Sequence, residues 1–135
     1  MSDVVIVAEN GQGRYQQEVR IGRHQLLADE PFSIGGGDAG PAPFDFLMAG
    51  LGACTSMTLR MYAERKQLPL TGIRVALSHR KIDLNGKQHD AIHREISLEG
   101  NLSDEQRRRL LEIAGKCPVH RALSSSMTLE CALAQ

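Results

Sequence analysis

The chain has 135 residues, 41% of them hydrophobic and 4% aromatic, which fits one domain with an aliphatic interior. Sixteen basic residues balance sixteen acidic ones, so the charge argues against a protein dedicated to nucleic acids or anionic membranes. No basic segment followed by an apolar run opens the chain, and we expect a cytoplasmic protein rather than a secreted one. The longest uncharged run, Phe46 to Leu59, has 14 residues. As a helix it would span about 21 Å, which is too short to cross a bilayer.

The first half of the chain predicts three short strands followed by a long helix. β-Branched or alternating runs at 4–7, 14–21 and 24–28 indicate the strands, with a hairpin turn at Gly22-Arg23. A loop rich in glycine and proline covers 29–43. The helix begins at Pro43 or Phe44 and continues to about Lys66. Its first half is almost wholly apolar, which is typical of a core helix.

The second half predicts a hairpin, a second helix and a final strand. Alternation over 73–82 and 92–98, joined by Asn85-Gly86, indicates the hairpin. In its second strand we assign Arg94 to the solvent face, together with Glu95 and Glu99. Ser103 opens a capping box for a helix whose predicted apolar face comprises Leu110, Leu111, Ile113 and Ala114. Alternation over 127–133 predicts a half-buried strand.

This order of elements predicts an α+β fold, with antiparallel sheets around a long buried central helix plus a second helix. We expect a single domain over residues 1–135. A helix that is apolar on nearly every face is difficult to enclose with one chain of this length. We therefore expect a homodimer.

The three cysteines lie in different sequence contexts. Cys54, among small uncharged neighbours, is either a packed apolar thiol or a nucleophile that needs a nearby cation. Cys117 precedes Pro118, which favours the N-cap of a short helix, and cationic neighbours there would lower the pKa of its thiol. Cys131 alternates with Leu129 and Leu133, and we predict that it lies in the core.

A metal site is the competing interpretation of Cys117-x-x-His120. A structural zinc ion needs four ligands, usually from two such pairs. Cys54 stands alone, and His79, His89 and His93 lie in polar contexts that indicate solvated side chains. We therefore predict no metal.

Two segments carry a resemblance to a known family. The run from Gly40 to Thr55, GPAPFDFLMAGLGACT, resembles the central-helix signature of the OsmC/Ohr family, the osmotically inducible and organic hydroperoxide resistance proteins. The run from Lys116 to His120, KCPVH, resembles the family's second cysteine motif. The resemblance extends from about Gly11 to Leu133 and is nearest to the generic OsmC-like branch. It implies an OsmC-like fold and an intertwined homodimer.

The resemblance also implies a thiol-dependent peroxidase that reduces organic hydroperoxides without a metal or organic cofactor. Cys54 would be the peroxidatic thiol, which becomes a sulfenic acid, and Cys117 the resolving thiol, which forms a disulfide with it. An external dithiol would reduce this disulfide.

Two further residues follow from the family pattern. The family places an arginine after a glycine turn near the N-terminus to stabilise the thiolate, and Arg14 matches it best, with Arg23 as the alternative. Asp45 stands where the family usually has a glutamate that orients this arginine. On a regular helix Asp45 would lie about 180° around the axis from Cys54 and about 13 Å along it. It would therefore act through Arg14 or serve only as a first-turn partner of the helix dipole.

Two other functions remain open at this stage. One is a weakly catalytic or non-enzymatic protein that binds a small apolar ligand or senses redox state. The other is a small metal-binding protein.

Overall fold

The computed structural model describes residues 4–134, which form five strands, three α-helices and one turn of 3₁₀ helix at Phe32–Ile34. The strands are β1 (Val5–Glu9), β2 (Gln17–Ile21), β3 (His24–Ala28), β4 (Leu70–Leu84) and β5 (Lys87–Gly100). The helices are α1 (Pro43–Arg65), α2 (Asp104–Ala114) and α3 (Pro118–Leu123). The sheets are antiparallel, one in the order β1-β2-β3 and one formed by β4 and β5. The predicted α+β class is confirmed, and α3 is the short helix predicted to begin at Pro118.

The chain divides into two compact units between Leu47 and Met48. In the first unit, a loop is organised around Asp29, whose side chain is buried. The Asp29 carboxylate accepts the backbone N–H groups of Glu30, Gly37 and Ala39 at 2.7, 3.2 and 3.1 Å. A Cβ on Gly36 would lie only 1.9 Å from the Glu30 carbonyl oxygen. The glycines of this loop therefore allow a close approach of backbone to backbone.

Helix α1 buries one stripe of side chains within the second unit. Leu51, Thr55, Leu59 and Ala63 follow one another at four-residue spacing, and all are buried. Met57 and Met61 are 60% and 64% exposed. The prediction of an apolar helix with a core face is confirmed. Among the described residues, the single chain covers mainly this stripe, in keeping with the expectation that one chain has difficulty enclosing the whole helix.

The core of the second unit joins α1 to α2. Leu59 packs with Leu110, Ile113 and Ala114 of α2, and partly buried side chains from β4 and β5 surround them. The predicted capping box is confirmed: Ser103 Oγ accepts the Gln106 N–H, and the Gln106 side chain accepts the Ser103 N–H.

The assignment of Leu111 to the buried face of α2 is wrong, because this side chain is 64% exposed. Each residue turns the helix by about 100°, which carries Leu111 away from the face shared by Leu110, Ile113 and Ala114. The turn at Asn85-Gly86 is confirmed, since both residues have positive φ, at 54° and 82°.

The predicted final strand is absent from the described part of the chain. Residues 126–134 have no regular secondary structure, and Leu129 and Leu133 are 85% and 96% exposed. Cys131 is exposed, so its assignment to the core is wrong. Alternation predicts a strand only where another strand offers ladder hydrogen bonds, and no strand pairs with this segment among residues 4–134.

Candidate functional site

Cys117 occupies the N-cap of α3, as the sequence predicts. Its backbone is extended, Pro118 follows at the first helical position, and the thiol is fully buried. The Cys117 Sγ accepts the backbone N–H of His120 at 3.3 Å. The sulfur thus accepts one of the N–H groups that the first turn of a helix leaves unpaired.

Helix α1 brings a second thiol to the same place. The side chain of Cys54, which is partly exposed, is among the neighbouring groups that lower the pKa of the Cys117 thiol. Next to it, Thr55 Oγ1 lies 3.9 Å from the Cys117 Sγ and donates its proton to the Leu51 carbonyl at 2.7 Å. The structure therefore brings Cys54 and Cys117 together, and both are free thiols.

Arg94 of β5 completes this cluster and is not among the site residues predicted from the sequence. Its Nη1 donates to Thr55 Oγ1 at 2.8 Å and to the Ala114 carbonyl at 3.2 Å, while its Nη2 donates to Nδ1 of His120. The assignment of Arg94 to the solvent face of the hairpin is wrong. Arg94 is an even number of residues from Ile92, Ile96 and Leu98, so the two-residue repeat of a strand places its side chain on their face. Strict use of this repeat would have identified Arg94 as a residue of the inward face.

The surroundings of Cys117 stabilise its thiolate. Burial by itself would raise the pKa of this thiol. The His120 N–H, the neighbouring Cys54 and Thr55 side chains, and the charge of Arg94 outweigh burial and lower that pKa below its ordinary value.

His120 is a neutral partner in this cluster. Burial and the adjacent Arg94 charge both lower the pKa of its imidazole. A guanidinium can only donate, so the Nδ1 that faces it is unprotonated. The cationic character near Cys117 therefore comes from Arg94 rather than from His120.

The other predicted site residues lie in the first unit or at its end. The Arg14 guanidinium stacks on the Tyr15 ring, 4.9 Å from the ring centroid. Arg23 lies in the exposed turn between β2 and β3. The Asp45 carboxylate accepts the Ala42 N–H at 3.0 Å, a contact that belongs to the first turn of α1. Support of the Cys54 thiolate by Arg14 or Arg23, and orientation of that arginine by Asp45, stay predictions.

The described residues contain no cluster of three or more histidine, cysteine or acidic side chains arranged for a metal ion. The Cys117 sulfur and the His120 Nδ1 already accept hydrogen bonds from the backbone and from Arg94. Among residues 4–134, no helix is long and apolar enough to cross a membrane.

Comparisons with known proteins identify the family of this chain. A family model for OsmC-like protein matches residues 35–132. A search of curated proteins found no significant match.

Solved structures share the fold at low sequence identity. An OsmC-like protein from Mycoplasma pneumoniae is 17% identical and aligns with a TM-score of 0.77 over 92% of this chain and 88% of its own. An organic hydroperoxide resistance protein OsmC from Legionella pneumophila is 18% identical, with a TM-score of 0.70 over 91% and 89%. An organic hydroperoxide resistance protein from Elizabethkingia anophelis is 18% identical, with a TM-score of 0.69 over 90% and 87%. The family match, which covers most of the chain, shows that the chain belongs to the OsmC-like protein family.

Proposed function

We propose that the protein is a thiol-dependent peroxidase that reduces organic hydroperoxides. The observation that carries this proposal is the pairing of two free thiols, Cys54 and Cys117, beside a guanidinium. Membership in a family whose structural relatives include two named for organic hydroperoxide resistance supports the same activity.

The exposure of the two thiols supports the roles that we propose for them in the cycle. The Cys54 thiol is partly exposed and can meet a peroxide, whereas the buried Cys117 thiol can react only with a neighbouring group. The Cys54 thiolate attacks the distal oxygen of ROOH, the O–O bond breaks, and the alkoxide takes a proton and leaves as ROH. The Cys117 thiolate then attacks the resulting sulfenic sulfur, and hydroxide takes a proton and leaves as water.

The resulting Cys54–Cys117 disulfide is reduced by an external dithiol through thiol–disulfide exchange. This step fits the cytoplasm, where thiols are kept reduced. No metal or organic cofactor enters the proposed cycle.

The surface beside Cys54 supports the proposed substrate class. Met57 and Met61 stand three and seven residues after Cys54, on the same side of α1, and are mostly exposed. An alkyl group that covers such side chains gains roughly 25 cal/mol per Å² of buried apolar surface. This term favours an organic hydroperoxide over hydrogen peroxide.

Free-thiol titration before and after one equivalent of an alkyl hydroperoxide tests the proposed function. The protein should lose two thiols quickly, recover them with a dithiol, and consume hydroperoxide over many turnovers. Cys54→Ser should abolish consumption. A protein that loses no thiols at that rate would instead be a binding or sensing protein, and zinc release on oxidation would indicate a metalloprotein.

We also propose that the protein is a homodimer. Apolar side chains on β1 and on the segment 126–134 are exposed, with Leu129 and Leu133 the most accessible. Soluble monomers rarely leave large apolar patches uncovered, so the exposed side chains of each segment favour a second copy of the chain that covers them. Sedimentation should give twice the chain mass, and Leu129→Asp should shift the equilibrium toward the monomer. A chain that sediments as a monomer at all concentrations would contradict this proposal.

A further inference from the structure

Arg94 carries a charge that lacks a carboxylate partner. It projects from the face of β5 that also holds apolar side chains, and it is partly buried. Among residues 4–134, it forms no ion pair with an aspartate or a glutamate. Its acceptors are a hydroxyl, a backbone carbonyl and a neutral imidazole. A cation withdrawn from water is costly unless a negative charge compensates it.

We propose that Arg94 is the positioning residue of the resolving thiol: it serves as counter-ion to the Cys117 thiolate and fixes the two side chains that surround it. The role in resolution rests on the proposed function, whereas the counter-ion role does not. Three elements present titratable or charged groups to Cys117: α1 with Cys54, β5 with Arg94, and α3 with His120. Of these, only Arg94 carries a positive charge at neutral pH.

The contact with Thr55 shows how the arrangement serves both states of the thiol. Thr55 has one hydroxyl proton, and it donates this proton to the Leu51 carbonyl. The Thr55 oxygen then accepts from Arg94 and can accept the S–H proton of Cys117. When Cys117 ionises, the hydroxyl proton turns from Leu51 to the sulfur, while Arg94 keeps the oxygen in place.

The contact with His120 fixes the other side of the thiol. Arg94 holds the imidazole of the residue whose backbone N–H points at the Cys117 sulfur. The same guanidinium also donates to Ala114, at the end of α2 just before Cys117. One side chain therefore links α1, α2 and α3 around the sulfur.

Thiolate absorbance as a function of pH tests this proposal without a peroxide. The experiment uses the full chain with Cys54→Ser and Cys131→Ser, so that Cys117 is the single thiol, and a variant with all three cysteines replaced as baseline. Three substitutions are compared in the single-thiol protein: Arg94→Gln, Arg94→Lys and Arg74→Gln. Arg74→Gln is the matched control, because it removes an exposed charge from β4 of the same hairpin.

We expect the titration midpoint of Cys117 to move upward in Arg94→Gln and the thiolate fraction at neutral pH to fall severalfold. Arg94→Lys should restore part of the loss, because it keeps the charge but not the fork of donors. Arg74→Gln should leave the midpoint in place. A midpoint that is the same in all three variants, or an Arg94→Lys variant that restores nothing, would overturn the counter-ion role.

Two further readouts keep the proposal open to refutation. If Arg94→Gln does not fold, the test uses the single-thiol protein with Arg94 intact. In that protein, a titration midpoint of Cys117 at or above the ordinary cysteine value overturns the proposal. In otherwise unaltered protein, Arg94→Gln should slow disulfide formation more than sulfenic acid formation. If the unaltered protein consumes no hydroperoxide, the proposed function fails, but the titration still decides the role of Arg94.

Discussion

Cys117 and Cys131 are close in sequence but lie in opposite environments. Cys117 begins a helix, is fully buried, and contacts hydrogen-bonding groups from α1 and α3. Cys131 lies in an exposed segment without regular structure. The difference teaches that the chemistry of a thiol depends on the packed elements that supply its donors and its charge, in addition to the pattern of its sequence neighbours.

The largest expected effect concerns turnover. Cys117→Ser should leave a single turnover and accumulate sulfenic acid on Cys54, because the second sulfur is missing. Cys131→Ser should leave multiple turnover unchanged, because the structure gives this thiol no place in the site. Hydroperoxide consumption, together with mass spectrometry of the oxidised thiols, measures both variants. Loss of activity in Cys131→Ser alone would mean that the roles of the cysteines are wrongly assigned.

The contrast between buried and exposed positions also applies to stability. Leu110→Ala should lower the free energy of unfolding by about 2–5 kcal/mol, because it leaves a cavity in the core. Leu111→Ala, its neighbour on the same helix, is the matched control and should change stability by roughly 0.5 kcal/mol or less. Denaturant unfolding of both variants measures the difference. Equal losses would contradict the orientation of α2.

A smaller effect is expected from pH. The folded pKa of His120 lies below its ordinary value of 6.5. As the pH falls through 6.5, the unfolded chain therefore takes up a proton that the folded chain does not. Stability should fall until the pH passes below the folded pKa. His120→Gln keeps an acceptor for Arg94 without a titrating group, and it should lose this part of the pH dependence. The same slope in both proteins would contradict a neutral, partly buried imidazole.

Features set by a few adjacent residues could be predicted from the sequence. The capping box at Ser103, the N-cap at Cys117-Pro118 and the turn at Asn85-Gly86 all formed, because each depends on hydrogen bonds or backbone angles within one turn of chain. The family could be predicted from two motifs, of which the run around Cys54 lies on α1 and KCPVH begins α3.

Features that depend on distant partners were harder to predict. The segment after 126 alternates correctly but has no strand to pair with among the described residues. Arg94 joins Thr55 and His120 across 39 and 26 residues of sequence, and local reasoning treated it as one more charged strand residue. The face of β5 on which Arg94 lies could be predicted from the sequence, but the residues that it contacts could not. Arg14 and Asp45 have local contacts in the first unit, and their roles in catalysis stay predictions.

Disulfide mapping after a single equivalent of alkyl hydroperoxide, without added reductant, tests the central claim most directly. The unaltered protein should yield one new cross-linked peptide pair that joins Cys54 to Cys117, and a dithiol should remove it. A cross-link that involves Cys131, or oxidation of Cys54 that never proceeds to a disulfide with Cys117, would contradict the account.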